Sequence, residues 1–113
     1  MNRTISSLVV ALALSVVAVA QRVTLVCVQT SNSSVHVVLD ERAGTASYAG
    51  EDDRPASFTA TQVSWDSYRE VAGDKYHTHL ELNRDTGHLA ANFYSNGNHG
   101  AAAYECNVAK PKF

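Results

Sequence analysis

Apolar and polar residues alternate along most of the chain after Ala20, in short runs that turn-forming residues separate. A period of two is typical of a β-strand with one buried and one exposed face. The pattern recurs seven or eight times at nearly regular spacing, and no segment sustains a helical period. The chain is therefore predicted to fold as a small antiparallel all-β meander.

One face of each run carries the side chains that we expect to point inward. These apolar positions are Val23, Leu25, Cys27, Val35, Val37, Leu39, Phe58, Val63, Trp65, Tyr76, Leu80, Leu82, Leu89, Ala91, Phe93, Ala102, Tyr104 and Cys106. Thr45 to Tyr48 is a short strand in this interpretation, and Gly87 and Asn96-Gly97 mark tight turns. Gly50 to Pro55 reads as a polar loop, because proline cannot donate a hydrogen bond within a central strand.

The two cysteines lie near opposite ends of this pattern, with Cys27 in the first predicted strand and Cys106 in the last. They allow one intramolecular pairing, which an oxidising compartment would favour. A bridge between these strands would place them side by side. That arrangement favours a closed or nearly closed barrel, and a two-sheet β-sandwich is the alternative.

The beginning of the chain has a different composition. Arg3 precedes an apolar run from Leu8 to Ala20, which is shorter than the roughly 20 residues that a membrane-spanning helix needs. Small residues at Ala18 and Ala20 match the A-x-A cleavage site of a secretory signal peptide. We therefore predict a signal peptide at 1–20 and a single exported β-domain at 21–113, periplasmic or secreted, with no membrane span in its mature form.

Charge narrows the choice of partners. Nine Lys and Arg against eleven Asp and Glu give a formal net charge of −2, and removal of Arg3 with the signal peptide leaves eight against eleven, or −3. A chain without a basic surplus lacks the electrostatic footprint of a nucleic-acid-binding protein. We expect a monomer that binds a protein of the envelope or the extracellular space.

Histidines on one strand form the strongest candidate for a metal site. His77, His79 and Glu81 fall on one face of the run, because side chains repeat every two residues. Imidazole and carboxylate groups are ligands for Zn²⁺ and Cu²⁺, so these three residues are candidate ligands. The alternative is a solvated outer face opposite the buried Leu80 and Leu82.

The sequence contains no motif that assigns a catalytic site. Asp85-Thr86-Gly87 spells the triplet of aspartic proteases, but Asn83 and Arg84 precede it where a dry site needs apolar residues, so we interpret it as a hairpin turn. The chain contains neither a G-x-S-x-G nucleophile elbow nor a glycine-rich phosphate loop. We predict no catalytic residues and no enzymatic activity.

A polar and aromatic turn is the candidate partner-binding loop. It contains Tyr94, Asn96, Asn98 and His99. Exposed aromatic residues are enriched where proteins bind one another. The acidic stretch from Glu51 to Pro55 is a second candidate loop.

Four sequence features resemble the small exported, disulfide-containing β-proteins of proteobacteria. They are Cys27 in the first strand, Val63-Ser64-Trp65, the motif L-N-R-x-T-G-x-L from Leu82 to Leu89, and Tyr104-Glu105-Cys106 followed by Lys110 to Phe113. The architecture is also distantly similar to the periplasmic inhibitors of c-type lysozyme, which are small barrels with cysteines near both ends. The first resemblance implies export and brings no known activity, and the second implies an inhibitory binding role by analogy of architecture.

Overall fold

The computed structural model describes residues 22–109, so the predicted signal peptide and the last four residues lie outside the described part of the chain. Eight strands follow one another: β1 (Arg22–Val28), β2 (Ser34–Asp40), β3 (Thr45–Tyr48), β4 (Arg54–Phe58), β5 (Gln62–Val71), β6 (Asp74–Asn83), β7 (His88–Ser95) and β8 (Asn98–Val108). Each strand pairs antiparallel with the next, and β8 pairs with β1. The predicted all-β fold is confirmed, and it is a closed barrel and not a sandwich. No helix long and apolar enough to cross a membrane occurs between residues 22 and 109.

The predicted disulfide closes the barrel. Cys27 and Cys106 stand directly opposite each other in the β1–β8 register, and their sulfur atoms are bonded. Cys27 is fully buried, so the bond lies on the inner face of the sheet. The link joins the first and last strands across a sequence separation of 79 residues.

The core follows the alternation of the sequence. Its buried apolar residues are Leu25, Cys27, Val37, Ala46, Tyr48, Val63, Trp65, Leu80, Leu82, Leu89, Ala91, Tyr104 and Cys106. Trp65 is only 2% exposed and shares one cross-strand line with Ala56, Leu80, Ala91 and Ala102. Three alanines on that line leave room for the indole, which is how a barrel this small accommodates a tryptophan.

The expectation that Pro55 lies in a loop is wrong. Pro55 is the second residue of β4 and pairs with Thr45 of β3. The Thr59 amide donates to the Gln62 carbonyl (2.8 Å), which shows that odd-numbered residues of β4 point their backbone groups toward β5. Pro55 has no N–H to donate there, and the β4–β5 register accordingly starts at Ala56.

The strands differ in length, and this difference shapes one end of the barrel. Strands β1 to β4 have four to seven residues, whereas β5 to β8 have eight to eleven. Strand β1 ends at Val28, opposite Glu105, so it pairs with only the last part of β8. The β5–β6 and β7–β8 hairpins therefore project beyond the rim that β1 to β4 form.

Candidate functional site

Four rings, three of them exposed and His77 half-buried, form a line across the outside of the projecting sheet. Tyr68, His77, Tyr94 and His99 are cross-strand neighbours on β5, β6, β7 and β8. Their ring centroids are 4.6, 5.5 and 4.8 Å apart in that order, and the first and last pairs are stacked nearly parallel. The Arg54 guanidinium lies 5.1 Å from the centroid of Tyr68 and covers that end of the line. We call these four rings the ring row.

Beside the ring row, one carboxylate holds two imidazoles. His77 Nε2 and His79 Nδ1 each donate a hydrogen bond to the same oxygen of Asp66, over 2.7 and 2.9 Å. The other nitrogen of His79, Nε2, donates to Glu81 Oε2 over 3.1 Å. Both nitrogens of His79 are therefore donors to carboxylates, which is the pattern of a protonated imidazolium.

The hydrogen bonds between Asp66 and His79 favour the charged forms of both side chains. Hydrogen bonds to Asp66 and then to Glu81 raise the pKa of His79 above its ordinary value of 6.5, against a smaller opposing effect of partial burial. Partial burial would raise the pKa of Asp66, but the hydrogen bonds from His77 and His79 outweigh it and hold that pKa below 3.8. Asp66 and His79 consequently form an ion pair at mildly acidic pH.

This ion pair predicts a pH-dependent contribution to stability. A raised histidine pKa stabilises the fold below pH 6.5, and the contribution disappears as the pH rises through the folded-state pKa. The lowered pKa of Asp66 stabilises the fold above pH 3.8, and that contribution is lost as the pH falls. Because the side chains of His79 and Asp66 are 35% and 42% exposed, screening by solvent reduces their contribution to stability. Between about pH 5.5 and pH 8.5 the free energy of unfolding of the wild type should fall by about 0.5–1 kcal/mol relative to His79→Gln.

Urea unfolding at several pH values checks this prediction. His36→Gln is the control, because His36 is also an exposed histidine but lies on β2, away from Asp66. A pH dependence that is the same in the wild type and in His79→Gln would contradict the assigned role of the Asp66–His79 pair.

The three predicted metal ligands do not face a common point. His77 and His79 both point at Asp66, whereas Glu81 contacts the far nitrogen of His79. Among residues 22–109, no group of three or more His, Cys, Asp or Glu side chains has the geometry to hold a metal ion. The side chains that do converge are His77, His79 and Asp66, and they meet at hydrogen-bond distances.

The predicted partner-binding loop is divided between two faces of the sheet. Tyr94 and His99 lie together on the outer face, and His99 Nε2 is 3.3 Å from Asn92 Oδ1. Asn96 lies in the turn, where its φ is +49° and its amide donates to Asp74 Oδ1 over 3.3 Å. Asn98 is one residue out of phase with His99 and therefore points to the inner face.

Sequence reasoning missed three residues of the site, namely Asp66, Tyr68 and Arg54. The first two could have been found, because Val63 and Trp65 were assigned inward and the same alternation places Asp66 and Tyr68 outward. Arg54 had no such signal, since its contact with Tyr68 depends on where β4 begins.

The other end of the barrel has an open mouth with a cavity of about 490 Å³. Its apolar lining includes Leu39, Phe58 and Leu82, and Arg84 stands at its rim. The Arg84 guanidinium donates to Glu41 Oε1 over 2.9 Å and to the Thr59 carbonyl over 2.6 Å, so neighbouring groups already engage its charge.

Polar side chains occupy the barrel interior near the projecting end. The hydroxyls of Tyr48 and Tyr104 are 2.8 Å apart, and the Ser67 hydroxyl donates to the Glu51 carboxylate. Burial, followed by the hydrogen bond with Tyr104, raises the pKa of Tyr48, so the Tyr48 phenol stays neutral. These contacts pair polar groups on the inner side of that end, whereas the ring row lies on the outer face of β5 to β8.

Comparison with known protein families, with curated proteins and with solved structures gives no match to this chain.

Proposed function

We propose that this protein is a binding module that recognises a partner protein through the ring row, and not a catalyst. The observation that carries the proposal is the exposure of this row: Tyr68 and Tyr94 are 55% and 43% exposed although each is stacked on an imidazole. Holding large rings in water without an occupant forgoes the burial that normally stabilises them.

The shape and chemistry of the row suit a protein interface. It crosses four strands, which is a span of about 14 Å at the usual strand spacing. Since neighbouring rings cover each other's faces, the exposed parts are ring edges, phenol hydroxyls and imidazole nitrogens. Tyrosine is enriched at the centres of interfaces because it offers a rigid apolar body and a polar end at a small cost in conformational entropy.

Export to the periplasm or the extracellular medium is part of the same proposal. The disulfide between Cys27 and Cys106 supports it, because such bonds persist in oxidising compartments. The apolar run from Leu8 to Ala20 supports it from the sequence. A partner would then belong to the envelope or to the surroundings of the cell.

Affinity capture with matched variants tests the binding function. The baits are the wild type, Tyr68→Ser/Tyr94→Ser, and His36→Ser, which alters an exposed ring on β2 outside the row. We expect the wild type and His36→Ser to capture the same envelope or extracellular protein, and the double variant to bind it about 30-fold more weakly. The purified partner, titrated against each bait, gives the ratio of dissociation constants.

A defined probe complements the capture experiment. Lysozyme of the c type is the first protein to titrate, because the inhibitors that the sequence distantly resembles bind it. A partner bound equally by the wild type and by Tyr68→Ser/Tyr94→Ser would contradict the assignment of the surface. Repeated failure to recover any partner would count against the binding function.

Divalent-metal binding is the second candidate, and one observation favours it. Two imidazole nitrogens, from His77 and His79, point at one oxygen of Asp66, so a small rearrangement could offer all three groups to Zn²⁺ or Cu²⁺. Calorimetric titration with Zn²⁺ at pH 7.5 should then show one site that His77→Gln/His79→Gln removes. Identical heats for the wild type and this variant would exclude it.

A further inference from the structure

The projecting part of β8 has an open edge. Strand β1 pairs with Glu105 to Val108, whereas β7 pairs with β8 along its whole projecting part. From Asn98 to Tyr104 the side of β8 that faces away from β7 has no partner strand among residues 22–109. Unpaired backbone groups of this kind are a template for a further strand.

The register shows which backbone groups are available. The Cys106 amide donates to the Gly87 carbonyl (2.8 Å), so even-numbered residues of β8 bond to β7. The Ala109 amide donates to the Thr24 carbonyl (2.9 Å), so odd-numbered residues face β1. Beyond the end of β1, the N–H and C=O groups of His99, Ala101 and Ala103 therefore point into solvent.

This edge lacks the features that usually prevent strand addition. Asn98 to Tyr104 contains no charged residue and no proline. The open end of β5, by contrast, carries Arg69 and Glu70, and Arg54 packs over its Tyr68. Charges on an exposed edge oppose pairing with a further strand. The open edge of β5 is therefore protected against strand addition, whereas the open edge of β8 is not.

We propose that the β8 edge pairs with the β8 edge of a second copy of this chain, around a two-fold axis at Ala101. In that antiparallel register Ala101 faces its own counterpart, His99 faces Ala103, and Gly100 faces Ala102. Nothing lies within 4 Å of a methyl group placed on Gly100, so the opposite alanine has room. The inference does not depend on the proposed partner-binding function.

A second copy is favoured over an unrelated strand because the edge is complementary to itself. Among the outward-facing residues His99, Ala101 and Ala103, the one large side chain, His99, meets an alanine, and both directions of the pairing are equivalent. A two-fold contact of this kind uses both edges and closes, so no fibre grows from it. The strands are short and the buried area is small, so we expect a dissociation constant between roughly 10 µM and 1 mM. Below that range the chain would be the monomer that its sequence predicts.

A charge exchange at the axis tests the dimer. Purified wild-type protein, Ala101→Lys and Ala101→Glu are compared by sedimentation velocity from about 10 µM to 1 mM. Each variant alone places like charges opposite each other and should dimerise about 10-fold more weakly than the wild type. An equimolar mixture of the two should recover dimerisation, which also shows that both variants are folded.

Val71→Lys is the matched control, because it adds the same charge at an exposed position of β5, the other open edge. It should dimerise like the wild type. A wild type that stays monomeric up to 1 mM would overturn the proposal. So would a dimer in which the mixture of Ala101→Lys and Ala101→Glu associates no better than each variant alone.

Discussion

Removal of the disulfide should cost about 4 kcal/mol of the free energy of unfolding. Cys27 and Cys106 are 79 residues apart, so the bond restricts a long loop in the unfolded chain. It also holds β1 against β8, and that pairing contains only four residue pairs. We expect Cys27→Ala/Cys106→Ala to be largely unfolded at 37 °C, since domains of this size have little stability in reserve.

Urea unfolding followed by Trp65 fluorescence measures the effect, because Trp65 is buried in the folded barrel. Cys27→Val/Cys106→Ala separates the bond from packing, since it restores apolar volume without the cross-link. Reduction of the wild type should lower its stability to that of the variants. A loss below about 1 kcal/mol would show that the β1–β8 pairing holds without the bond.

Gly87→Ala should cost about 3 kcal/mol. Gly87 has a φ of +81°, and a Cβ atom there would lie 2.6 Å from the backbone carbonyl oxygen of Cys106. The substitution therefore combines left-handed backbone strain with a clash against a main-chain atom that cannot easily move. Since the Cys106 amide donates to the Gly87 carbonyl, the same change also strains the β7–β8 pairing beside the disulfide.

Gly97→Ala is the matched control for this prediction. Gly97 has nearly the same φ, +80°, but nothing lies within 4 Å of the added Cβ. It should lose only about 1 kcal/mol, so the difference between the two variants isolates the clash with Cys106. Equal losses in thermal or urea unfolding would show that the close contact at Gly87 relaxes without cost.

Much of the fold could be predicted because alternation determines which side chains enter a barrel. Trp65, Leu80 and Leu89 are buried as their positions in each run indicated. The two cysteines indicated closure, since they placed the first and last strands together. The error at Pro55 has a physical reason. The missing N–H would point toward β5, whereas even-numbered residues make the hydrogen bonds toward β3, and the Ala56 amide donates to the Gly44 carbonyl over 2.9 Å.

The site was less predictable because it depends on register. Asp66 meets His77 and His79 through a hairpin whose turn residues, Ala72 and Gly73, have φ values of +52° and +87°. The sequence predicts a turn from Ala72 to Asp74, but alanine rarely adopts a positive φ, so the two-residue form that sets the register is not predicted. Without that register the sequence predicts that the two histidines point outward, but it does not predict that they contact the Asp66 carboxylate.

The open edge of β8 had no signature in the sequence either. It arises because β1 ends at Val28 while β8 continues past Glu105 to Asn98. Such a stagger depends on how strands of unequal length close into a barrel, and alternation within each strand does not report it.

Side-chain footprinting of the complex tests whether the ring row is the binding surface. Hydroxyl radicals label exposed tyrosine and histidine side chains, and labelling is compared in the free and the partner-bound protein. If the ring row is the binding surface, most of the labelling is lost in the complex at Tyr68, His77, Tyr94 and His99. Unchanged labelling of these four rings, with protection at Phe58 in the barrel mouth, would contradict it.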